Sequence, residues 1–390
     1  MTRNDRDRVG TPSVMIVSHG FGYGNDLMYF GEIFRCLRTL IPSLSVAVDA
    51  DTSFNNRYGI ALKPMMRLRR RSVQRATPDG QVYPTEIAVP APSLFVRLLR
   101  EPVQVFVTIE FTAPALMTTL AATLRRRTGL VLLVESDPAA RGGSTNPVVR
   151  QVKRWVVSQA DVIQTNNEGG RRYLVEDLRA RPEKVRVAPY LTSRPPGPNT
   201  EIQRSEGPLR LLFANSITQR KGLREFLQAL SLCDPGVRAQ LDLVVVGDGP
   251  DRAELATFAE QHVSGARISF AGRQSYADLG HFYAAAEVLV IPSLADYRSL
   301  AGFEGLGYGL ALLASSRDGA TAETVIDGEN GYVIDPANAA SVAARVSSLV
   351  QDREQVLRMR EASLKLYRER FSLEQIAANI ADSVKLAANA

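Results

Sequence analysis

The stretch that decides the fold is LRLLFANSITQRKGLREFLQAL, residues 209–230. Residues 209–214 are almost all apolar, as in a buried strand, and a polar loop follows them. From Gly222 onward apolar residues recur at the spacing of one helix face. A strand, a loop and a helix in this order are typical of parallel sheets that helices cover on both faces. The stretch therefore predicts an α/β fold.

The same rhythm recurs on both sides of this stretch, from SVMIVS at 13–18 to ALLAS at 311–315. It is broken once, at LTSRPPGPNTEIQRSEGP, residues 191–208, where prolines and glycines without apolar periodicity indicate a linker. Two doubly wound, Rossmann-like domains that face each other across a cleft are predicted. Ligands of such sheets bind at the carboxyl ends of the strands, so functional residues are expected in the loops that follow strands.

Length and composition exclude several classes of protein. The 390 residues suggest two or three domains, and 45% hydrophobic with 23% charged residues is ordinary for a globular chain. Two distant cysteines cannot build a disulfide framework or a cysteine-rich zinc site, which fits a reducing, cytoplasmic compartment. The polar residues 1–12 indicate a flexible tail rather than a signal peptide, and no apolar run is long enough to span a membrane.

The net charge of +6 is unevenly distributed. Residues 1–195 contain 28 Lys and Arg against 17 Asp and Glu, a net +11, whereas the remaining 19 and 24 give the second half −5. A basic first half suggests that it meets an anionic partner, and nucleic acid, a membrane surface or a phosphorylated substrate would all fit.

Three loops after predicted strands carry candidate site residues. The loop His19–Asn25 has alternating glycines before a helix, which suits close backbone approach to an anion or a plain tight turn. Arg220 and Lys221 stand where a helix is predicted to begin, an unfavourable place for cations unless an anion binds there. Asp296 and Glu304 flank a predicted helix start, and the apolar neighbours of Glu304 imply a hydroxyl partner such as ribose or a sugar.

No metal site is predicted. Asp49 and Asp51 have D-x-D spacing, but in a chain this rich in aspartate such a match occurs by chance, and no other cluster has metal-ligand spacing. Neither a P-loop nor a G-x-S-x-G nucleophile motif is present.

Taken together, the loops resemble the retaining nucleotide-sugar glycosyltransferases of family 4, which have the GT-B fold. The resemblance covers most of the chain. It is carried in order by LLFANSITQRKGLREFLQAL, LVVVGDGPDRAEL, ISFAGRQSYADLGHFYAAAEVLVIPS, the E-x7-E-like region from Asp296, VIDGENGYVIDP and RERFSLEQIAANIADSV. It implies an acceptor-binding domain of residues 13–195 plus 372–390, the linker 191–208, and a donor-binding domain of residues 209–371.

The resemblance also implies catalytic roles. Lys221 matches the lysine that binds the donor diphosphate, and Arg220 takes over the charge of an upstream arginine that Ser216 replaces. Glu304 matches an acid that binds ribose. Asp296 stands where a glutamate normally faces the transferred sugar.

Other positions follow from the same resemblance. The remaining donor-binding residues would be Gly22, Gly24, Arg273, Gln274, Ser299, Leu300 and Ala301. The acceptor-side candidates are His19, Glu135 and Asp137, since Glu-Ser-Asp stands where the family has a histidine after a strand. Arg298-Ser299 replaces a usual Phe-Gly, a departure that bears on the donor sugar.

The implied activity is transfer of a hexose from a UDP- or GDP-sugar to a hydroxyl of a lipid-linked glycan acceptor, without metal or other cofactor. A non-catalytic nucleotide-sugar binder, an epimerase or a phosphorylase remain alternatives. The basic stretch Arg57–Arg75, interleaved with Met65, Met66 and Leu68, suggests contact with an anionic membrane surface on the inner face of the cytoplasmic membrane, or else a solvated arginine-rich face. Nucleic acid is not expected as a partner, because no aromatic–basic platform is present.

Overall fold

The chain folds into two compact units. The computed structural model describes residues 11–18, 27–50, 56, 58–76, 82–135, 146–198, 202 and 206–390. The first unit comprises Met1–Leu191 together with Leu373–Ala390, and the second comprises Thr192–Ser372. The two cysteines, Cys36 and Cys233, are buried, free and in different units.

The first unit is built on a parallel sheet. Its strands are β1 (Val14–Val17), β2 (Leu44–Asp49), β3 (Ala61–Met66), β4 (Leu68–Ala76), β5 (Val82–Pro90), β6 (Val105–Ile109), β7 (Gly129–Val134), β8 (Val162–Thr165) and β9 (Val185–Val187). Seven of them form one sheet in the order β3-β2-β1-β6-β7-β8-β9, while β4 and β5 form a separate antiparallel hairpin. The sheet strands next to β1 run parallel to it, which is typical of a doubly wound fold.

Helices cover both faces of this sheet. Its α-helices span Met28–Leu40, Ser93–Arg100, Ala113–Leu124, Pro147–Gln159, Glu168–Arg172 and Leu373–Ala388. Alternate strand residues point to opposite faces. A side chain at Gly129 would collide with Ala387 of the last helix, whereas the next residue, Leu130, packs in a cluster with Ala121. The last helix and the helix Ala113–Leu124 therefore lie on opposite faces.

The second unit repeats the architecture. Its strands are β10 (Leu209–Ala214), β11 (Leu241–Val246), β12 (Arg267–Gly272), β13 (Val288–Ile291), β14 (Ala311–Ser315) and β15 (Gly331–Ile334), in the order β12-β11-β10-β13-β14-β15. Its α-helices span Leu223–Ser231, Pro235–Arg238, Arg252–His262, Tyr276–Ala285, Leu300–Gly307, Thr321–Thr324, Ala339–Gln351 and Arg353–Leu366. Successive residues Leu211 and Leu212 of β10 belong to different apolar clusters, one on each face. The prediction of two parallel α/β sheets is confirmed.

The segment after Leu191 is more ordered than a linker of that composition suggests. Thr192 and Ser193 are fully buried, and Arg194 donates to the carbonyl of Gly307 over 3.1 Å. The hydroxyl of Tyr308 donates to the carbonyl of Pro195 over 2.6 Å. Residues 192–198 are therefore a strap packed on the second unit, which we call the 192–198 strap.

The interpretation of the Arg57–Arg75 stretch is wrong in one respect. Met65 and Met66 are buried in the core of the first unit, and Leu68 packs against that core, because they lie on or beside the sheet strand β3. Lys63 forms an ion pair with Glu101. Met65, Met66 and Leu68 therefore do not form an apolar membrane-facing surface.

Candidate functional site

Two neighbouring strands of the second unit bring the predicted cations and the predicted acids together. β10 and β13 pair in parallel, so the loops after them lie side by side. Gly222 has a φ of 71°, and a side chain there would collide with the carbonyl oxygen of Pro292. The amide of Leu294 donates to the carbonyl of Arg220 over 2.9 Å. This close approach requires glycine at 222 and explains the Lys-Gly pair.

A cation–carboxylate cluster occupies the junction of these loops. Lys221 Nζ donates to Asp296 Oδ2, and Arg220 Nη1 lies 3.1 Å from Asp296 Oδ1. Arg220 also donates to the carbonyl of Ala295 over 2.9 Å. Lys221 is buried, with only 7% of its surface exposed. Two cations and one carboxylate leave the cluster with a net charge of +1, enclosed enough to act strongly on an anion.

The sequence predicted that Arg220 and Lys221 stand at the start of the helix. The structure places them before it. They lie on a separate 3-10 turn, Gln219–Lys221, and the helix begins at Leu223 after the left-handed Gly222. Asp296 supplies the charge that balances these two cations beside the helix start.

The ion pairs set the protonation of Asp296. Burial alone would raise the pKa of this carboxyl, but Lys221 and Arg220 outweigh it and lower the pKa below the ordinary value. Asp296 is therefore ionised at neutral pH.

We expect the Asp296 pairs to stabilise the fold at neutral pH and to fail in acid. Because the folded pKa lies below the unfolded one, the stabilisation is complete above the unfolded value of about 4. It is lost as the pH falls through the lowered folded pKa. Urea unfolding of the wild type and of Asp296→Asn should show a difference in unfolding free energy that shrinks from pH 7 toward pH 3. A difference that is constant with pH would contradict the assignment.

Glu304 lies inside the helix Leu300–Gly307 and is half-buried. Its Oε1 accepts from the Ser193 hydroxyl and its Oε2 from the Tyr283 hydroxyl, each over 2.5 Å. Burial raises the pKa of Glu304, and the two hydrogen bonds partly offset that rise. The hydroxyl partners that its apolar surroundings imply are supplied here by the protein, and one of them comes from the 192–198 strap.

The start of the helix Leu300–Gly307 has free capacity for an anion. Ser299 precedes it, and among the described residues its side chain makes no capping hydrogen bond to the first amides, those of Leu300 and Ala301. The amide of Ser299 donates to Asp318 Oδ1 over 3.2 Å. Uncapped amides at a helix N-terminus favour an anion such as phosphate.

Asp318 is a buried acid that the sequence analysis missed. Its Oδ1 also accepts from the amide of Ala320 over 2.9 Å, and its Oδ2 has no partner within the described part of the chain. Burial and the neighbouring Asp296 raise its pKa. It fixes the backbone at Ser299, where the helix starts. Only its Asp-Gly turn after β14 could have drawn attention to it.

Arg298 stabilises the fold and is not available to bind a ligand. Its guanidinium forms a forked pair with Glu323, with Nε–Oε1 at 3.0 Å and Nη2–Oε2 at 2.9 Å. The side chains of Arg298 and Glu323 are 1% and 7% exposed. The guanidinium carbon lies 4.1 Å from the centroid of the Phe303 ring. The departure from Phe-Gly is therefore accommodated by a buried ion pair.

We expect Arg298→Met to lower the unfolding free energy by about 3–5 kcal/mol, because it takes the guanidinium partner away from the buried Glu323 carboxylate. The double variant Arg298→Met/Glu323→Leu should recover most of that loss, since it removes both charges. Urea unfolding measures both. Equal losses in the single and double variants would show that the cost is not electrostatic.

Three other donor-side candidates lie apart from the cation–carboxylate cluster. Ser216 and Arg273 are exposed on loops after β10 and β12. Gln274 Nε2 donates to the carbonyl of Ala271 over 2.8 Å, next to Gly272 with a φ of 73°. Both loops follow strands of the same sheet, at the edge where ligands of such folds bind.

Most acceptor-side candidates cannot be placed. Of the three, His19 and Asp137 lie outside the described residues, as do the donor-side candidates Gly22 and Gly24. Glu135 follows β7, and its amide donates to Glu110 Oε1 over 2.6 Å. Glu110 has a φ of 61°, a strained conformation for a residue other than glycine, at the carboxyl end of β6. Nothing in the sequence around Glu110 indicated that this residue adopts an unusual backbone conformation.

Comparisons with known proteins place this geometry in context. Residues 199–366 match the family model of glycosyl transferases group 1. The GDP-mannose-dependent alpha-(1-6)-phosphatidylinositol monomannoside mannosyltransferase of Mycobacterium tuberculosis is 25% identical over 330 residues, which cover 78% of this chain and 82% of that enzyme. The lipopolysaccharide 1,2-N-acetylglucosaminetransferase of Salmonella typhimurium is 28% identical over 184 residues, 45% of this chain and 48% of that enzyme.

Solved structures share the fold along nearly the whole chain. HepE of Anabaena, in complex with UDP, has a TM-score of 0.68 and 16% identity, with 96% of this chain and 99% of that chain covered. The fold class is GT-B, as the resemblance implied. The matches together support a glycosyltransferase of this fold.

Proposed function

We propose that the protein is a retaining glycosyltransferase that moves a hexose from a UDP- or GDP-sugar to a hydroxyl of a lipid-linked glycan acceptor. The observation that carries the proposal is the cation–carboxylate cluster of Arg220, Lys221 and Asp296 at the carboxyl edge of the second sheet. It lies within the segment that matches the family model.

A site for glycosyl transfer must stabilise the negative charge on the leaving diphosphate. When the bond between sugar and phosphate breaks, negative charge develops on a phosphate oxygen. Lys221 and Arg220 are already held in place by Asp296, and the uncapped amides of Leu300 and Ala301 add further donors. Preorganised donors of this kind stabilise a developing charge without reorganisation. We therefore propose that transfer is independent of metal.

The remaining donor roles follow the resemblance. Glu304 would bind the ribose hydroxyls, in exchange for or beside its present partners Ser193 and Tyr283. Asp296 would face the transferred sugar. Arg273 and Gln274 would contact the nucleobase, while Ser216, Gly22 and Gly24 would line the phosphate and sugar.

A lipid-linked acceptor is supported by the charge of the first half of the chain and by the relatives. The first half of the chain carries a net +11. The Mycobacterium enzyme is named for a phosphatidylinositol mannoside and the Salmonella enzyme for lipopolysaccharide, both lipid-anchored glycans. Within the described residues no helix is both long and apolar enough to cross a bilayer. We propose that the protein works on the inner face of the cytoplasmic membrane, with the cations of Arg57–Arg75 near anionic groups.

A non-catalytic nucleotide-sugar binder is the second candidate. The observation that favours it is the shortened acid at 296, whose two oxygens are both paired to cations. Because both oxygens of Asp296 are engaged, this acid would not act on the sugar, and the site would bind a nucleotide sugar without transferring it.

A ligand screen followed by a release assay separates the two candidates. UDP-, GDP- and ADP-sugars should be tested for an increase in melting temperature, because a ligand of the folded state stabilises it by mass action. The stabilising sugar nucleotide should then release its nucleoside diphosphate when acceptor is supplied. The anomeric configuration of the product, read by proton NMR, should equal that of the donor. Stabilisation without release would favour the binder, and inversion would contradict a retaining mechanism.

A further inference from the structure

One helix of the first unit exposes leucines instead of polar residues. The helix Ala113–Leu124, APALMTTLAATL, contains no charged residue. Leu116, Leu120 and Leu124 are 39%, 41% and 60% exposed. Their spacing of four residues places them in one stripe along the helix. Single exposed leucines are normal on protein surfaces, but a solvent-facing stripe of three with no charge in the helix is not.

The helices around this stripe contain cations and no acids. Ser93–Arg100 and Pro147–Gln159 both contact the helix Ala113–Leu124. The three helices have 8, 12 and 13 residues, and none of these 33 residues is Asp or Glu. Their cations are Arg97, Arg100, Arg150, Lys153 and Arg154. The helices of the opposite face, Met28–Leu40 and Leu373–Ala388, contain Glu32, Glu374 and Asp382.

Arginines also follow the leucine stripe. Arg125 points inward, donating to the carbonyls of Leu98, Glu101 and Val103, and so anchors the end of the helix. Arg126 and Arg127, the next two residues, are exposed. The leucine stripe is thus followed directly by two exposed arginines.

The charge decides between occupants of this surface. A second copy of the chain docked face to face would bring cations against cations, which opposes association. An anionic bilayer is complementary to the cations and to the leucine stripe. Its headgroups attract the arginines, and the boundary between headgroups and acyl chains accepts the leucines.

We infer that the surface of Leu116, Leu120 and Leu124, with Arg126 and Arg127 directly after them in the chain, docks the first unit onto an anionic lipid bilayer. The leucines enter the boundary between headgroups and acyl chains, and the arginines contact lipid phosphates. The purpose of this membrane contact rests on the proposed function, since it would bring the enzyme to a lipid-linked acceptor. The contact itself requires neither the donor nor the acceptor sugar. It assigns the apolar contact to a different surface from the Arg57–Arg75 stretch, whose methionines are buried.

Vesicle sedimentation tests the inference with the full chain and no sugar nucleotide. We expect the wild type to bind vesicles of phosphatidylglycerol mixed with phosphatidylcholine, and to bind pure phosphatidylcholine far more weakly. The triple variant Leu116→Gln/Leu120→Gln/Leu124→Gln should lower the partition coefficient by about tenfold or more. Arg126→Gln/Arg127→Gln should lower it by about fivefold per cation removed.

Leu232→Gln is the matched control, since Leu232 is also 60% exposed but lies in the second unit. It should bind vesicles as the wild type does. Unchanged circular dichroism and melting temperature show that the triple variant is folded. Equal vesicle binding by triple variant and wild type, or no lipid-dependent binding at moderate salt, would overturn the inference. A wild-type dimer that the triple variant abolishes would overturn it too. Failure of sugar transfer would leave these binding results unaffected.

Discussion

Lys221→Ala should lose transfer by about 10²–10³ in kcat while remaining folded. The loss is expected because Lys221 is the more buried of the two cations that the proposed mechanism places at the leaving diphosphate. Folding should persist because Arg220 still lies 3.1 Å from Asp296 and keeps that carboxylate paired. Steady-state release of nucleoside diphosphate gives kcat, and thermal melting reports the fold.

Arg224→Ala is the control for this variant. Arg224 lies on the helix that follows, and its ion pair with Glu254 is largely exposed. Exposed pairs contribute little to stability, so this variant should keep both turnover and melting temperature. Near-wild-type turnover of Lys221→Ala, or an equal loss in both variants, would show that the cluster is not where the leaving group binds.

Glu304→Ala should lower the unfolding free energy of the second unit by about 1–3 kcal/mol, because the buried Tyr283 hydroxyl loses its acceptor, whereas Ser193 keeps the Tyr276 hydroxyl 3.1 Å away. Ser193 and Tyr283 are both fully buried and both donate to this carboxylate. The loss should also loosen the 192–198 strap at Ser193, while Arg194 and Tyr308 still hold the rest of it. Urea unfolding measures the first effect, and proteolysis at the strap reports the second.

Glu304→Gln separates the structural role of Glu304 from its charge. The carboxamide oxygen accepts from one hydroxyl, and its NH2 group can donate to the other, so most of the stability should return. Under the proposed function, ribose binding should be weakened in both variants, which a UDP or GDP titration would show. Wild-type stability of Glu304→Ala would mean that the two hydrogen bonds contribute nothing measurable.

The parts of the molecule built from local patterns were predictable. The almost entirely apolar run of β10 and the Lys221-Gly222 pair sufficed to place a strand, a tight loop and a helix. That Arg220 and Lys221 meet Asp296 follows from the rule that ligand-site loops gather at the carboxyl ends of parallel strands. The structure adds that β10 and β13 are direct neighbours in the sheet.

Long-range partners were not predictable. Glu304 is paired with Ser193, 111 residues away, from a stretch whose prolines and glycines indicated a linker. The same composition instead forms the 192–198 strap, because its polar groups find acceptors on the helix end. Arg298 and Glu323 are separated by 25 residues, and only the fold of the loop after β14 brings them together.

The hairpin of β4 and β5 shows that a highly charged sequence can still form a strand. β4 reads LRRRSVQRA, which lacks the apolar alternation by which strands are recognised, yet it pairs with β5 along its whole length. Conversely, the helix Ala113–Leu124 has the composition of a buried helix, although three of its leucines are exposed. The exposure of these three leucines, which the apolar composition of the helix did not indicate, is what distinguishes an interaction surface from a core.

Transfer of a labelled hexose tests the central claim most directly. The wild type, Lys221→Ala and Arg224→Ala should each be incubated with labelled UDP- and GDP-sugars and a total lipid extract of bacterial membranes. The account predicts that, with one donor, label moves into the lipid phase for the wild type and Arg224→Ala but stays with the nucleotide for Lys221→Ala. Label that never leaves the nucleotide, with a donor that raises the melting temperature of the wild type, would contradict it.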